Sequence, residues 1–292
     1  MTNGRPSIRF ASHDSEFLSW ESAFRAPEER LRDCLIGAYQ GWSEKATIAM
    51  RRREIPKIMI PVIINLGPPF GVDSTGGGDE AGMERYGSFA AGLHDRYAVV
   101  ESSGRSQCMQ LNLEPLVARR IFGCAMGDLE NRVVDLGDIL GGGFNDLLAQ
   151  LHDARDWSDR FALLDSFLGH RLADAPETRP EVAWALRRLQ QSGGTVGIGD
   201  LAVEIGCSRK RLIALFRDQV GQTPKTVARV IRFNRVVKLL GADSAMGWAE
   251  LAYDGGYYDQ AHFNRDFRDF AGYTPSEYLN RQLPQGGGTR DI

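Results

Sequence analysis

Gly256-Tyr257-Tyr258-Asp259-Gln260-Ala261-His262-Phe263-Asn264-Arg265-Asp266-Phe267, followed by Gly272-Tyr273-Thr274-Pro275, is the second occurrence of one pattern in this 292-residue chain. In the first occurrence Ser208, Leu212, Phe216, Gly221 and Pro224 stand where Asp259, Phe263, Phe267, Gly272 and Pro275 stand in the second, every pair 51 residues apart. Upstream, Leu201-Ala202 recurs as Leu251-Ala252 at an offset of 50, with one residue added in the turn between. Each copy predicts a short amphipathic helix (198–205; 248–253) that ends at Gly206 or Gly256. A second helix then opens on an N-cap residue, Ser208 or Asp259. It buries its apolar positions at i and i+4 and stops at Gly221 or Gly272. A Thr-Pro pair starts the next helix. A short helix, a tight turn and a second helix with one buried stripe make a helix-turn-helix.

The faces left over carry the functional expectation. The first copy leaves Arg209, Lys210, Ile213, Ala214 and Arg217 outside the buried stripe, beside the N-cap Ser208. The second leaves Gln260, His262, Arg265 and Arg268, beside Asp259, with Asn264 at the edge. Arg and Lys pair with guanine edges, Gln and Asn with adenine, Ile and Ala touch a thymine methyl, and outlying Arg residues suit phosphates. Any one of these residues taken alone reads better as part of a solvated helix face. Two units with the same cap, core and stop read as a DNA interface.

With these residues in view, Gly206-Cys-Ser-Arg-Lys-Arg-Leu212, Phe216, Gly221-Gln-Thr-Pro224, Leu239-Leu240 and the second-copy signature resemble the C-terminal domain of AraC/XylS-family transcription regulators. The resemblance covers about 100 residues. It implies two helix-turn-helix units in one subunit, joined by a long helix over 223–240. That helix is about 27 Å long at about 1.5 Å per residue, enough with its flanking turns to set two recognition helices about one DNA turn apart. The expected partner is double-stranded DNA, and by family resemblance RNA polymerase. Three positions depart from the family pattern: Val236 stands for alanine, Trp248 for an aliphatic residue, and Ile213-Ala214 makes the middle of the first recognition helix apolar.

The expected fold class is α+β. An N-terminal β-rich, cupin-like domain with a helical tail (1–172) leads through a polar, proline-bearing linker (173–179) to an all-α DNA-binding domain (180–284) and a flexible tail (285–292). Strands are expected at 35–39, 59–66, 86–93, 97–101 and 107–113, where β-branched and aromatic residues are separated by Gly, Pro and Asp. The Gly- and Pro-rich run 67–79 reads as a long exposed loop, able to act as a lid over a pocket. From Glu114 the apolar period becomes helical, with Phe144, Leu147, Leu148 and Leu151 on one face and Phe161, Leu164, Leu168 and Leu172 on another. These stripes pack either inside one monomer or in a homodimer. Many family members carry a sensor domain in this place, so a small-molecule effector is expected, with Trp42, Phe70, Phe89 and Tyr97 as candidates to line its pocket. For each of the four a plain core role is the commoner outcome.

Totals limit the other classes. A chain 42% hydrophobic and 25% charged is ordinary globular material, and no apolar run approaches the roughly 18 residues of a membrane span. Met1 to Ser12 lacks the apolar core of a signal peptide. Cys34, Cys108, Cys124 and Cys207 are scattered, which argues for reduced thiols and a cytoplasmic location rather than a disulfide framework or zinc finger. His13, His94, His152 and His170 are isolated, so no metal and no cofactor is expected. No nucleophile elbow, P-loop or dinucleotide fingerprint is present, so no catalytic residue is assigned and no enzyme is expected. Residues 181–284 hold 14 Lys+Arg against 11 Asp+Glu and the rest of the chain balances at −6, which puts the positive excess on the DNA side. The alternative is a ligand- or protein-binding module whose helix-turn-helix pair is structural.

Overall fold

The computed structural model describes residues 6–76, 82–242, 247–282 and 289–290. The N-terminal half builds two antiparallel sheets. The larger contains β1 (Arg9–Asp14), β2 (Leu18–Arg25), β3 (Tyr39–Ala46), β5 (Ile60–Asn65), β8 (Phe89–Ala91), β10 (Arg105–Leu113) and β11 (Val133–Asp135), in the order β1-β2-β3-β10-β5-β8-β11. The smaller contains β4 (Met50–Glu54), β6 (Phe70–Asp73), β7 (Glu84–Tyr86), β9 (Ala98–Ser102) and β12 (Thr289–Arg290), in the order β12-β4-β9-β6-β7. The fold is therefore α+β, as its composition of elements implied.

Side-chain alternation along the strands of the larger sheet splits its contacts between two layers. Ile63 and Cys108, with Phe89 and Val133 of the same sheet, face the smaller sheet, where they meet Phe70 and Val72. Ile60, Val62, Ile64, Met109, Leu111 and Leu113 face the helices. Those helices are α1 (Pro115–Phe122), α2 (Leu136–Leu140), α3 (Gly142–Asp153) and α4 (Trp157–Ala173). α3 buries Phe144, Leu147 and Leu151, and α4 buries Phe161, Leu164 and Leu168. Leu148 and Leu172 of the same two stripes pack against this core but are only partly buried. A buried polar cluster ties β2 and β3 to α4: Arg25 pairs with Asp165, whose carboxylate also accepts from the Tyr39 hydroxyl and the Glu28 amide. Burial and the adjacent carboxylate push the Tyr39 hydroxyl far above its ordinary range. Gly41 on β3 is there for space, since a Cβ would run into the ring of Trp157.

Three expectations are corrected. The run 67–79 is not one exposed loop, because Phe70–Asp73 is a strand with all four residues buried, and a lid cannot be built from a strand inside a sheet sandwich; positions 77–79 lie outside the described residues. Residues 35–39 do not form a strand: a 3-10 turn, Glu29–Cys34, precedes them, and β3 begins only at Tyr39. Thr289–Arg290, expected in a flexible tail, pairs with Arg53 and Arg52 of β4. The strands at β1, β2, β4 and β11 had no alternating apolar signal to reveal them, β1 and β4 having no buried residue.

The C-terminal half is helical: α5 (Pro180–Gln191), α6 (Ile198–Glu204), α7 (Arg209–Gln219), α8 (Pro224–Ala242), α9 (Trp248–Asp254), α10 (Gln260–Ala271) and α11 (Pro275–Arg281). Residues 174–179 connect α4 to α5 without regular structure, yet the apolar core is not divided there. Leu201, Leu212, Phe216, Val220 and Val227 belong to the same cluster as Leu116, Ile121, Met126 and Leu129 of the N-terminal half. The second unit has its own core of Val230, Phe233, Val236, Leu240, Leu251, Phe263, Phe267 and Phe270. The division between cores falls inside α8, between Ala228 and Val230.

Candidate nucleic-acid interface

The two units are built alike. Ser208 caps α7 by accepting from the Arg211 amide at 3.2 Å, and Asp259 caps α10 by accepting from the His262 amide at 2.7 Å. Leu212 and Phe216 in α7, like Phe263 and Phe267 in α10, are fully buried. Gly272 ends α10 in the left-handed region at φ 68°, where a Cβ would also collide with Tyr97, so two constraints hold glycine there. Thr274 and Glu277 then form a reciprocal capping box on α11, and those hydrogen bonds hold the Glu277 carboxyl below its ordinary value.

The structure places the candidate readers as follows. Ser208, Arg209, Lys210, Ile213, Ala214 and Arg217 are exposed along α7, and Asp259, Gln260, Arg265 and Arg268 along α10. Arg209 lies over Gly199 of α6, which leaves room for its guanidinium. Besides the capping residues Ser208 and Asp259, two candidates do not stand free. The Arg217 Nε is 3.9 Å from Glu130 of the N-terminal half. His262 sits edge-on to Tyr257 with ring centroids 5.2 Å apart and its Nε2 3.8 Å from Asp266, so it faces its own unit as much as the outside. Val236 is fully buried and Trp248 half-buried in the core of the second unit, the packing roles their departures from pattern required.

Residues that pattern reading missed fix the units in place. Arg229 of α8 donates to Asp266 of α10 at 2.7 and 3.2 Å, and Asp266 is almost fully buried. Arg232 donates to the Gly194 carbonyl at 2.6 Å and covers the Tyr257 ring, so one side chain of α8 touches both units. The N-terminal half grips each unit separately. Gln222 donates to the Leu93 carbonyl at 3.2 Å and Arg119 pairs with Asp218 at 3.1 Å on the first. On the second, Arg53 of β4 lies between the rings of Tyr97 and Tyr273 and donates to the Gly272 carbonyl, while Asn234 donates to the Pro56 carbonyl at 2.8 Å. The only sequence sign was the run Arg51-Arg52-Arg53 on a strand that leaves the core.

Of the four aromatic residues weighed as pocket lining, three share a closed core and the fourth lies apart from them. Trp42, Phe70 and Phe89 meet in the core between the sheets, and Tyr97 is spent on Arg53 at the second unit. Cavities lie elsewhere. One of about 20 Å³ between the larger sheet and the helices is lined by apolar side chains such as Val62, Leu111 and Phe144. An open cleft of about 360 Å³ runs beside Phe10, Trp157 and Arg160. All four cysteines are free thiols, and burial pushes Cys108 well above its ordinary range. Among the described residues no group of three or more His, Cys, Asp or Glu is placed to hold a metal ion, and no helix is long and apolar enough to cross a membrane.

The helix-turn-helix domain family matches residues 201–281, the stretch from α6 to the end of α11. No curated protein matches the chain. Among solved structures the chain is similar to ToxT from Vibrio cholerae, at 12% identity over 91% of this chain and 98% of that one, TM-score 0.44. The C-terminal domain of AraT, a response regulator from Geobacillus stearothermophilus, is similar at 20% identity over 38% and 93%, TM-score 0.35. An AraC-type transcriptional regulator from Chromobacterium violaceum is similar at 23% identity over 37% and 96%, TM-score 0.33. Residues 201–281 thus match an AraC-type helix-turn-helix domain.

Proposed function

We propose that the chain is a cytoplasmic, sequence-specific regulator of transcription that holds double-stranded DNA with both units, α7 and α10 each entering the major groove. One observation carries the reading. Arg209, Lys210, Gln260 and Arg265 stand exposed on the opening turns of two equally built helices, and none has a side-chain partner among the described residues. Cations and amides held in that state suit base edges and phosphates. Control by a small molecule or a partner protein is placed in the N-terminal half, which touches both units and shares a core with the first. A homodimer and contact with RNA polymerase are part of the same proposal, the latter by family resemblance. The contrary reading, an interaction module with a structural helix-turn-helix pair, draws support from the burial of the back of α7 in the shared core.

Salt dependence separates the two. Binding of the full chain to a random-sequence duplex, followed by fluorescence anisotropy, is expected to weaken steeply with salt, by about 0.9 in log K per log unit of salt for each phosphate held. A flat dependence, or no binding at low salt, would leave the interaction module standing. Comparing DNA affinity and subunit stoichiometry with and without cell-derived small molecules tests the control proposal.

A further inference from the structure

We propose that β1 is a self-complementary edge on which a second copy of the chain docks, the two β1 strands running antiparallel about a two-fold axis at Ser12. This rests on the homodimer of the reading above and names its interface. β1 is the end strand of the larger sheet. β2 pairs with one side of it along its whole length, and among the described residues no strand pairs with the other. A free edge is a template for a further strand unless charge, a bulge or a covering element blocks it. None of the six residues of β1 is buried, and Phe10 keeps 57% of its surface exposed. Beside Phe10 lies the open cleft of about 360 Å³ at the start of α4, lined also by Ile8, Trp157, Arg155 and Arg160.

Symmetry limits the register. A two-fold axis between neighbouring antiparallel strands stands perpendicular to the sheet and keeps each side chain on its own face, and residues directly opposite each other share a face. Only positions of like parity can therefore meet. Centring the pair on Ser12 sets Ser12 against itself, Ala11 against His13 and Phe10 against Asp14. Ile8 and Phe10 both line the cleft, so the face of β1 that Asp14 shares with them is the cleft's face. The second copy's Asp14 then stands beside Phe10, within reach of Arg155 and Arg160, and the axis repeats the contact. These groups are free to meet. Asp14 is exposed and has no ion pair among the described residues. The Arg160 Nε donates to the Leu151 carbonyl at 3.1 Å, and its two terminal nitrogens have no hydrogen bond among the described residues. Arg155 is 87% exposed. Asp156, the carboxylate in the cleft lining, already accepts from the Asp159 amide at 2.9 Å. Centring on Ala11 instead sets Arg9 against the His13 ring, which stacks on Trp20. The Ser12 register joins two seven-stranded sheets into one continuous sheet. So short a pairing buries less than a standard interface, which makes the pair weak and dependent on concentration.

The test is crosslinking by position in the full chain. Opposed residues of antiparallel strands have Cα atoms about 4.5–5.5 Å apart, inside the disulfide range of about 4.4–6.8 Å. Ser12→Cys alters one exposed side chain and is expected to form a covalent dimer on mild oxidation. Phe10→Cys and Ala11→Cys are expected to stay largely uncrosslinked, as is the unaltered chain with its four free thiols. Sedimentation of the unaltered chain is expected to give a mass that rises with concentration. Asp14→Lys is expected to weaken the pair by up to about 25-fold, two contacts of up to about fivefold each, and Asp14→Lys/Arg160→Glu to recover most of that loss. A chain that is monomeric at every concentration, with Ser12→Cys uncrosslinked, would overturn the proposal and leave the edge to another occupant. A dimer that crosslinks through Ala11→Cys, or through neither position, would overturn it as well. Salt-dependent duplex binding by Asp14→Lys reports separately on the DNA-binding reading, which stands if the unpaired chain still binds and falls if neither protein does.

Discussion

Arg229→Met is expected to destabilise the second unit by about 3 kcal/mol, and a further substitution at Asp266 is expected to restore most of the loss. In the structure Arg229 closes two hydrogen bonds on Asp266, whose side chain is only 3% exposed. The other carboxylate oxygen of Asp266 is buried without a hydrogen bond. The Arg229 guanidinium also lies over the Phe270 ring, 4.9 Å from its centroid, so methionine keeps the length of the stem but gives up that contact together with the charge. A buried carboxylate left without its partner costs about 3–5 kcal/mol. The lower end applies here, because Arg229 is itself 28% exposed and its second partner, Asp269, is half-exposed and contributes little. Leucine is the carbon isostere of aspartate, and the site adjoins Phe263, Phe267 and Phe270. The double variant Arg229→Met/Asp266→Leu is therefore expected to be more stable than the single one. Urea unfolding followed by circular dichroism measures both. A double variant no more stable than Arg229→Met would refute the argument that the cost is an unpaired buried charge.

Three further outcomes follow from the contacts. Glu130→Gln is expected to tighten binding to any duplex by up to about fivefold, since an exposed pair is worth about 0–1 kcal/mol; the gain should vanish in an Arg217→Ala background, as anisotropy titrations of the four proteins will show. His94 is buried, its Nδ1 2.8 Å from the Gly92 carbonyl, and burial pushes it below its ordinary value of 6.5. The unfolded chain then takes up a proton that the folded chain refuses, so stability is retained above about 6.5 and falls as pH drops below it; urea midpoints at pH 7 and 5 should differ less in His94→Gln, and parallel shifts would contradict this. The isolated fragment 177–282 is expected to unfold in two steps, the first unit melting earlier because Leu212, Phe216 and Val220 lose Met126 and Leu129 as neighbours; a single sharp transition by circular dichroism would show that the shared core is not needed.

The C-terminal architecture was legible because repetition multiplies weak signals. No single glycine or N-cap decides a helix boundary, but Ser208 and Asp259, Gly221 and Gly272, each at the same offset, leave one reading. The exposed faces of α7 and α10 were equally plain, since whatever a helix does not bury it presents. What stayed hidden lies between elements distant in sequence. Arg53 meets Tyr273, Gln222 meets Leu93, and Arg217 meets Glu130, and none of these pairs leaves a periodic mark. The same holds for β6: Phe70-Gly71-Val72-Asp73 is flanked by glycine and proline that announce a turn, and only burial between two sheets makes it a strand. The aromatic residues weighed between pocket and core were divided between a closed core and a cation clamp for the same reason, because composition reports apolarity and says nothing about who the neighbour is.

The continuous core that joins the β layers to α7 has a thermodynamic consequence. Equilibria that share packed atoms are linked, and linkage runs in both directions with one coupling constant. A molecule that preferred one arrangement of the N-terminal half would shift DNA affinity by at most the ratio of its own affinities for the two arrangements. A duplex bound across α7 and α10 shifts the affinity for that molecule by the same factor. Met126 against Gly221 and Arg53 between its two tyrosines are the contacts through which such a factor would pass. Seen from the N-terminal half, the operator is itself an effector.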